Sequence, residues 1–256
     1  MIKILLLDIE TAPSKAYIWS LWSEPRNAEL IYGDWFVLCW CAKWLGDKKI
    51  MSASLPESQT YKKEPENDKE VVTKIWKLLD EADFVIAHNA LKFDIKKLNT
   101  RFLMHGLKPP SPYKVVDTLM IARETFAFSS NKLNDLVRFL GLGQKIETGG
   151  FKLWTQCLEG NKEAWKKMVD YCKHDVVLLE KVYLALRPYG KRQPNIAVYE
   201  NREDLICTRC GSANIYMRGY YFTNVSKFRR YSCKDCGSWC RARKADKINE
   251  TLANTI

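Results

Sequence analysis

The sequence lacks any long hydrophobic run. None of its apolar stretches approaches the roughly 20 residues that a membrane-spanning helix requires, and the stretch at residues 4–7 is far too short for the core of a signal peptide. Internal repeats and low-complexity tracts are also absent. With 256 residues, of which 46% are apolar and 28% charged, the chain has the composition of a globular protein. We therefore expect an intracellular, cytoplasmic protein that makes no contact with a membrane.

The cysteine pattern gives no sign of a disulfide framework. The chain has nine Cys. An odd number of cysteines in a sequence that otherwise looks intracellular argues against a set of structural disulfides. Four of them form two C-x-x-C pairs near the C-terminal end of the sequence. The other five have no partner spacing, and we expect most of them to be small core residues; they are Cys39, Cys41, Cys157, Cys172 and Cys240.

Acidic residues are scarce in the last quarter of the chain. Residues 191–256 hold 13 Lys or Arg and 6 Asp or Glu, a net charge of +7. Residues 1–190 hold 28 Lys or Arg and 24 Asp or Glu, a net charge of +4, so the whole chain has a net charge of +11. A basic segment of this size favours a polyanionic partner, most simply nucleic acid. The alternative is that the charge serves solubility alone.

Apolar periodicity predicts an α/β fold whose first three strands form a meander, followed by alternating strands and helices. The predicted strands are residues 2–9, 35–42, 48–54, 83–89 and 113–117. The predicted helices are 68–82, 92–105, 118–125, 131–140 and 161–186. Asn67 or Asp68 is the expected cap of the first helix. A mixed sheet flanked by helices follows from this order.

The same pattern divides the chain into segments. Residues 1–187 form the predicted main domain, and residues 188–205, with several Pro and Gly and no clear period, form a linker. A compact cysteine-containing unit occupies 206–243. Residues 244–256 are a polar tail that we expect to fray.

Two acids occupy the end of the first strand, in the stretch "LLLDIET". Side chains alternate across a strand, so Asp8 and Glu10 lie on the same face. Two carboxylates this close repel each other unless a cation lies between them. Oxygen ligands select hard cations such as Mg²⁺ or Mn²⁺. An isolated D-x-E also occurs by chance, so the interpretation requires further acids from elsewhere in the fold.

Further acids are present at two places. In "HNALKFD", Asp94 opens a predicted helix, where the helix dipole favours an acid. In "YCKHD", Tyr171 and Asp175 lie four residues apart on one helix, at the edge of its apolar stripe. Taken singly, Asp94 could be only a helix-start acid, and the Y-x-x-x-D pattern only a helix-surface coincidence.

These motifs, in this order, resemble those of the DEDD superfamily of 3′–5′ exonucleases, the DnaQ-like proofreading nucleases with an RNase H-like fold. The resemblance covers roughly residues 1–187 and includes "VVDTLMIAR" (115–123) and "NKLNDLVRFLGL" (131–142). The aromatic opening, from "AYIWSLW" to "CAKWLG", is similar to phage-encoded members, which would place the protein in a host cytoplasm.

The resemblance assigns roles by position. The four acids that it implies as ligands of two Mg²⁺ or Mn²⁺ ions are Asp8, Glu10, Asp94 and Asp175. Tyr171 stands at the position of the residue that orients the attacking water. Because residue 170 is Asp rather than His, the chain resembles the Tyr branch, DEDDy. His174 fits neither position and is interpreted as a helix-face residue. In this family the two metals clamp the scissile phosphate, activate the water and stabilise the leaving 3′ oxygen.

The resemblance also suggests substrate contacts. The Ile9 backbone and Thr11 lie where family members hold the terminal nucleotide. Asn89 and Phe93 either contact DNA or only shape their turn. Asp117 is expected to support the site or cap a helix more often than to bind metal.

The two C-x-x-C pairs near the C-terminal end resemble the ligand pattern of a zinc ribbon. The two C-x-x-C pairs, Cys207/Cys210 and Cys233/Cys236, are each followed by a glycine that permits a tight turn. Four thiolates suit one tetrahedral Zn²⁺; a redox-active pair is the alternative. The predicted nucleic-acid contacts of this unit are Arg218, Lys227, Arg229, Arg230, Arg241 and Arg243, interleaved with aromatic residues. Those aromatic residues could instead be the core of this small unit.

The leading hypothesis is therefore a two-metal 3′–5′ exonuclease that releases nucleoside monophosphates from single-stranded DNA. One alternative is an exoribonuclease with the same site, since no residue of the sequence is identified as reading a 2′ hydroxyl. The other is a non-catalytic adaptor in which the ribbon binds nucleic acid or a replication protein.

Overall fold

The computed structural model describes residues 2–17, 30–200 and 204–246. Most of the segment "AYIWSLW", most of the predicted polar tail and a few residues of the predicted linker lie outside these ranges. The chain forms two compact units. The larger contains Lys3–Leu119 and Ser130–Val182, and the smaller contains Met120–Ser129 and the chain from Tyr183 onward, with the first two residues.

The larger unit is built on a mixed five-stranded sheet. The strands before the cysteine unit are β1 (Ile4–Thr11), β2 (Lys15–Tyr17), β3 (Leu30–Gly33), β4 (Val37–Trp44), β5 (Met51–Ser54), β6 (Phe84–Ala87) and β7 (Lys114–Asp117). The sheet order is β5-β4-β1-β6-β7, and β2 and β3 form a separate two-stranded pair. The pairs β1–β4 and β4–β5 are antiparallel, whereas β6 and β7 run parallel to β1. The predicted meander followed by βα units is therefore confirmed.

Helices flank this sheet. They are α1 (Lys69–Glu81), α2 (Asp94–Met104), α3 (Thr118–Thr125), α4 (Leu133–Phe139), α5 (Phe151–Leu158) and α6 (Lys162–Leu186). Five of them were predicted within two residues at each end. The prediction missed α5 and the β2–β3 hairpin. Both missed elements are short, and α5 follows Gly150 without an N-capping side chain, so it lacks the usual start signal of a helix.

Strand β1 is buried on both faces near its start, where Leu5, Leu6 and Leu7 are all fully inaccessible. This is expected for the central strand of a sheet that helices flank. Four of the five unpaired cysteines, Cys39, Cys41, Cys157 and Cys172, are also fully buried, as predicted for small core residues. All nine cysteines are free thiols. None of the helices formed by the described residues is both long enough and apolar enough to cross a bilayer.

Asp68 precedes α1, as predicted, but its side chain does not cap the helix. The carboxylate is fully buried and binds the Arg101 guanidinium through two hydrogen bonds of 2.6 and 2.7 Å. His105 Nε2 lies 2.6 Å from the same carboxylate, and the Val37 backbone N–H donates to it at 2.8 Å. Asp68 therefore ties α2 to the start of β4, and Asn67 Oδ1 accepts from the Lys69 N–H at 3.1 Å in the turn before α1.

The smaller unit contains an antiparallel sheet of three strands, β8 (Ile215–Phe222), β9 (Lys227–Cys233) and β10 (Trp239–Arg241), in the order β10-β9-β8. The Arg209 side chain donates hydrogen bonds to the carbonyl oxygens of Gly190 and Gln193, each 2.8 Å long. The Ile196 N–H donates to the Thr208 carbonyl at 2.9 Å. The segment 190–196 is therefore held against the cysteine unit by hydrogen bonds.

Candidate active site

The two acids of β1 lie on the same face of the strand, as alternation requires. Asp8 pairs with Cys41 of β4, and Glu10 pairs with Cys39. Helix α6 packs against this face through small thiol side chains. Cys41 Sγ lies 3.7 Å from the Val169 carbonyl oxygen, and Cys172 Sγ lies 3.5 Å from that of Asp8. These contacts bring the middle of α6 to the two acids.

Strand β1 has an irregularity at the point where the acids end. The register with β4 shifts between Glu10 and Thr11. Such bulges bend a strand and redirect the side chains that follow it, and they are frequent beside active sites. Beyond the bulge, Thr11 pairs with Val37 and also lines a cavity of about 500 Å³.

Asp94 is brought to the site by the tight turn that follows β6. Asn89 in this turn has a φ of 70°, an unusual conformation for a residue other than glycine. Its N–H donates to Asp117 Oδ1 at 2.9 Å, and the Leu91 N–H donates to Asp117 Oδ2 at 3.2 Å. Asp117 also accepts from the Leu119 N–H in the first turn of α3. Asp117 thus caps α3 and fixes the turn, as predicted, and Asn89 shapes the turn through its backbone.

The turn leads directly into α2, whose first residue is Asp94, preceded by Phe93 at the cap position. The Asp94 side chain is only 2% exposed. Burial and the charge of Asp8 raise the pKa of Asp94, while backbone hydrogen bonds at Asp94 and Ile9 oppose this rise.

Helix α6 supplies the remaining two predicted residues. Asp175 is 3% exposed, and Tyr171, one turn earlier, is half-buried with its ring against the edge of Trp154. Burial raises the pKa of Tyr171 well above its usual range, and the carboxylates of Asp175, Glu10 and Asp8 raise it further. The phenol therefore stays protonated across the physiological pH range and is available as a hydrogen-bond donor.

The acids influence one another strongly. Burial, together with the nearby Asp175 carboxylate, raises the pKa of Asp8 to about 7. Burial and the charge of Asp8 raise the pKa of Glu10 and of Asp94 well above the usual range. These are the shifts expected when carboxylates share a site of low polarity without enough positive charge. The structure thus brings together the four acids that the sequence singled out.

Two oxygens of the cluster have no hydrogen-bond partner among the described residues, namely Asp8 Oδ2 and Asp175 Oδ1, and both are shut off from solvent. A buried acceptor without a partner costs on the order of 1–3 kcal/mol, and more when it is charged. A divalent cation would satisfy both oxygens and offset the repulsion, and carboxylate oxygens suit Mg²⁺ or Mn²⁺. The residues therefore fit the metals that the resemblance implies.

Sequence reasoning missed Lys145, which enters the cluster from the loop between α4 and α5. Its ammonium group forms an ion pair with Asp175 Oδ2 and donates a 3.2 Å hydrogen bond to Tyr171 Oη. Its charge also lowers the pKa of Asp8 and Glu10, against the larger effect of burial. The loop is attached to α6 at two points just before Lys145, because His174 Nε2 lies 2.6 Å from the Gln144 carbonyl and Lys181 donates to that of Leu142.

Three of the ten residues that line the cavity beside Thr11 are aromatic. Trp35, Phe151 and Trp154 line it together with Lys97. The Lys97 ammonium lies 3.5 Å from the centre of the Trp35 ring, a close cation–π contact. Two of these residues belong to α5, which the sequence did not predict. A cavity with aromatic walls and one cation, next to a carboxylate cluster, has the chemistry to hold a base and a phosphate.

The four ribbon cysteines converge in the smaller unit. Among the described residues, they alone place the ligand atoms of three or more side chains within 4.8 Å of one another; the four carboxylates stand farther apart. The Sγ atoms of Cys207 and Cys236 are 3.6 Å apart, and those of Cys210 and Cys233 are 3.7 Å apart. A tetrahedral zinc site with bonds of about 2.3 Å requires sulfur separations of about 3.8 Å. The cluster could therefore hold zinc.

The two halves of the cluster have the same backbone turn. The Gly211 N–H donates to the Cys207 carbonyl, and the Gly237 N–H donates to that of Cys233, both at 3.0 Å. Gly211 and Gly237 have φ values of 75° and 73°, as the predicted tight turns require. Burial raises the pKa of Cys207 to about 11. At Cys236 burial acts in the same direction, but hydrogen bonds from Ser238 outweigh it and lower the pKa to about 7.

The predicted basic contacts of the ribbon are not equivalent. Arg229 is paired with Asp246 at 3.1 Å. Arg243 lines a cavity with Gln193 and Cys240. The other four lie over aromatic rings: Arg218, Lys227, Arg230 and Arg241.

Comparison with known proteins gives partial matches. The chain is 36% identical over 75 residues to the PolC-type DNA polymerase III of Ureaplasma parvum, a match that covers 28% of this chain and 5% of that protein. A solved structure of the family B DNA polymerase from Pyrobaculum calidifontis is 14% identical, with a TM-score of 0.48, over 74% of this chain and 26% of the other. The chain thus spans only a small part of either polymerase.

A family description matches more of the chain. The RNase H superfamily model covers residues 46–187, which is more than half of the 256 residues. The match includes Asp94, Tyr171 and Asp175, whereas Asp8 and Glu10 on β1 lie before it. The mixed five-stranded sheet flanked by helices is the RNase H-like fold. The chain therefore belongs to the RNase H superfamily.

Proposed function

We propose that this protein is a metal-dependent 3′–5′ exonuclease of the Tyr branch that removes nucleotides from single-stranded DNA. The observation that carries the proposal is the convergence of four acids and Tyr171 from three separate elements, with Asp94 and Asp175 buried and two acid oxygens left unsatisfied. Fold stability does not require such a cluster, because like charges in a buried site oppose folding. Similarity to a DNA polymerase supports DNA as the substrate.

In this proposal Asp8, Glu10, Asp94 and Asp175 hold two Mg²⁺ or Mn²⁺ ions. When bound, these ions would lower the pKa of the attacking water and offset the charge that develops on the phosphate. Tyr171 remains a neutral phenol because of its raised pKa. Its hydroxyl is therefore suited to orient a water molecule by hydrogen bonding, rather than to remove the proton from that water.

The terminal nucleotide would occupy the cavity at Thr11. The aromatic walls offered by Trp35 and Trp154 suit stacking on a base, since every base has a π face. Lys97 supplies a positive charge on the same wall. Stacking does not distinguish bases, which suits an enzyme that must remove any nucleotide at a 3′ end.

The four-cysteine cluster would hold one Zn²⁺ in a structural role. All four positions of a tetrahedron are taken by thiolates, so no site is open to substrate. We propose that residues 1–187 carry the nuclease and that 206–243 form the ribbon, joined by 188–205, with 244–256 as a polar tail. The ribbon would then contact nucleic acid or a replication protein.

One experiment tests the proposal. Full-length protein is incubated with 5′-labelled single-stranded DNA or RNA of the same sequence, with Mg²⁺ or without it. We expect a ladder of shortening products on DNA only when Mg²⁺ is present, with nucleoside monophosphates released. Faster cleavage of the RNA would favour the exoribonuclease. Intact substrate under all conditions would favour the adaptor.

The matched pair of variants is Asp175→Asn and Asp170→Asn. Both remove one acid from α6, but Asp175 is buried in the cluster and Asp170 is exposed. We expect Asp175→Asn to abolish cleavage while Asp170→Asn leaves it unchanged. Equal activity of the two variants would show that the carboxylate cluster does not take part in cleavage.

A further inference from the structure

The basic residues of the ribbon sheet are divided between its two faces. Along β9, Lys227, Arg229 and Tyr231 point to one face, and Phe228 and Arg230 point to the other. Arg229 is neutralised on its face by Asp246. Arg230 has no acidic partner among the described residues of its own face. The two neighbouring arginines are therefore in different electrostatic surroundings.

Strand pairing identifies the residues that share the face of Arg230. In the register, Tyr221 stands opposite Phe228, and Arg241 stands opposite Arg230. The shared face includes Arg218, Tyr221, Phe228, Arg230, Trp239 and Arg241. We refer to these six residues as the arginine–aromatic face.

A bulge in β8 completes this face. The register shifts between Met217 and Tyr220, so Arg218 and Gly219 together stand opposite Arg230. Gly219 has a φ of 70°, which a bulge of this kind requires of its glycine. The Arg230 Nε donates to the Arg218 carbonyl at 3.1 Å. The bulge therefore places two guanidinium groups on one small area of the sheet.

The three guanidinium groups stack on aromatic rings. Arg230 Cζ lies 4.8 Å from the centre of the Trp239 ring, and Arg218 Cζ lies 5.5 Å from it. Arg241 Cζ lies 4.0 Å from the Phe228 ring. One nitrogen of each guanidinium donates a hydrogen bond within the protein, and stacking leaves the remaining N–H groups available and holds the side chain in a defined place. Trp239 and Tyr221 nevertheless stay nearly half exposed, at 46% and 47%.

We infer that the arginine–aromatic face binds single-stranded nucleic acid, with phosphates on the arginines and bases on the exposed parts of Trp239 and Tyr221. Exposed rings and unpaired cations on one face are the two features that sequence-tolerant single-strand binding requires. A buried ion-pair partner or an acidic rim would have argued for a protein ligand. The inference extends the proposed nuclease function, because it names where a strand would be held outside the carboxylate cluster.

The test compares adjacent arginines on opposite faces of one strand. Arg230→Ala and Arg229→Ala remove the same charge, so any effect of net charge alone is equal in both. Affinity is measured by fluorescence anisotropy with 5′-fluorescein oligo(dT) and oligo(rU), each about 20 nucleotides long so that it exceeds the site of a single small domain. Ca²⁺ replaces Mg²⁺ to suppress cleavage. Zinc content and thermal melting are recorded for each variant, and Arg241→Ala, at an exposed position, repeats the test if Arg230→Ala does not fold.

We expect Arg230→Ala or Arg241→Ala to weaken binding several-fold and to reduce the slope of log affinity against log salt by about 0.7 for each phosphate that is no longer neutralised. Arg229→Ala should change neither quantity. Trp239→Ala should weaken binding by about fivefold or more without changing the salt slope, because stacking releases no counterions. Preference for one of the two oligonucleotides would identify the natural strand as DNA or RNA.

Equal effects of Arg229→Ala and Arg230→Ala would overturn the inference, since net charge alone would then explain binding. Wild-type affinity in all four variants would overturn it too, and would make a protein partner the better candidate. Cleavage of the same oligonucleotides in Mg²⁺ is measured separately. If the wild-type protein cleaves them but the ribbon variants bind normally, the nuclease proposal stands and only this inference fails.

Discussion

Lys145 forms an ion pair with Asp175 inside the carboxylate cluster, and its second hydrogen bond reaches Tyr171 Oη at 3.2 Å. The ammonium group thus supplies the site with a single positive charge at an oxygen that is proposed to bind metal. An arriving cation must displace this charge or share the carboxylate with it. The structure therefore sets Lys145 and the metal in competition for Asp175.

Replacing Lys145 by Ala should strengthen binding of Mn²⁺ or Mg²⁺. A unit charge and a divalent cation about 4 Å apart repel by about 8 kcal/mol at the effective dielectric constant of about 20 that suits partly buried sites. Because the lysine can move away, we expect the smaller gain of about tenfold in affinity, measured by titration calorimetry. Lys167→Ala, on the exposed side of α6, removes the same charge and should leave metal affinity unchanged. Weaker binding in Lys145→Ala would contradict the competition.

The stability of the metal-free site should depend on pH through Asp8. Its pKa rises from 3.8 in the unfolded chain to about 7 in the folded protein, chiefly by burial. Above pH 3.8 the unfolded chain gains by ionising this group while the folded protein does not. The folded state therefore loses stability as the pH rises from about 4 to about 7, by an amount on the order of 4 kcal/mol.

Urea unfolding of wild type and Asp8→Asn, each with one equivalent of zinc and no magnesium, isolates this effect. We expect Asp8→Asn to be the more stable protein at about pH 7 and the two proteins to converge near about pH 4. Addition of Mg²⁺ should stabilise only the wild type. A difference between the two proteins that stays constant with pH would show that Asp8 carries no burial penalty.

Tyr171→Phe should slow cleavage by roughly 10²–10⁴-fold, the usual contribution of a group that acts on the attacking water. The substitution keeps the ring that contacts Trp154, so metal affinity and DNA affinity should stay at wild-type values. Because the pKa of Tyr171 is raised, its deprotonation should cause no change in the cleavage rate across the measured pH range. Single-turnover rates measure the loss, with Tyr183→Phe on the same helix as the control. Full activity of Tyr171→Phe would exclude the role.

Much of this arrangement could be predicted from local patterns. Alternation alone places Asp8 and Glu10 on one face, and the turn after β6 places Asp94 at a helix start. Lys145 could not be found in this way, because its loop has no periodicity and its position depends on the attachments of that loop to α6. The sorting of the ribbon arginines depends on a bulge at Gly219, which shifts the simple alternation of side chains along β8.

The buried role of Asp68 was hidden for a related reason. An Asp just before a helix usually indicates an N-cap. The side-chain partners of Asp68, however, are Arg101 and His105, which are 33 and 37 residues away in the sequence. We expect Asp68→Ala to destabilise the protein by about 3–5 kcal/mol, because it leaves a buried guanidinium without its partner. Urea unfolding measures the loss, and Asp170→Ala at an exposed position should change stability by less than about 0.5 kcal/mol.

Cysteine substitutions in the ribbon should distinguish the zinc ligands from a neighbouring cysteine that does not bind zinc. Cys233 and Cys240 lie on adjacent strands of one small sheet, but only Cys233 belongs to the four-thiolate cluster. Cys233→Ser should reduce bound zinc from one equivalent to none, and Cys240→Ser should retain one equivalent. Zinc is measured by atomic absorption after dialysis. Loss of metal from Cys240→Ser alone would place the site elsewhere.

The protonation state of the thiols makes the same site sensitive to pH. Burial raises the pKa of Cys207 to about 11, so this thiol must release a proton when metal binds. The apparent zinc affinity should therefore rise steeply between about pH 6 and about pH 8, by about tenfold per pH unit for each proton released. Loss of zinc at low pH should unfold the ribbon, because its strands bury few side chains. Competition with a chelator across this pH range measures the slope, and a flat profile would show that thiolates are not the ligands.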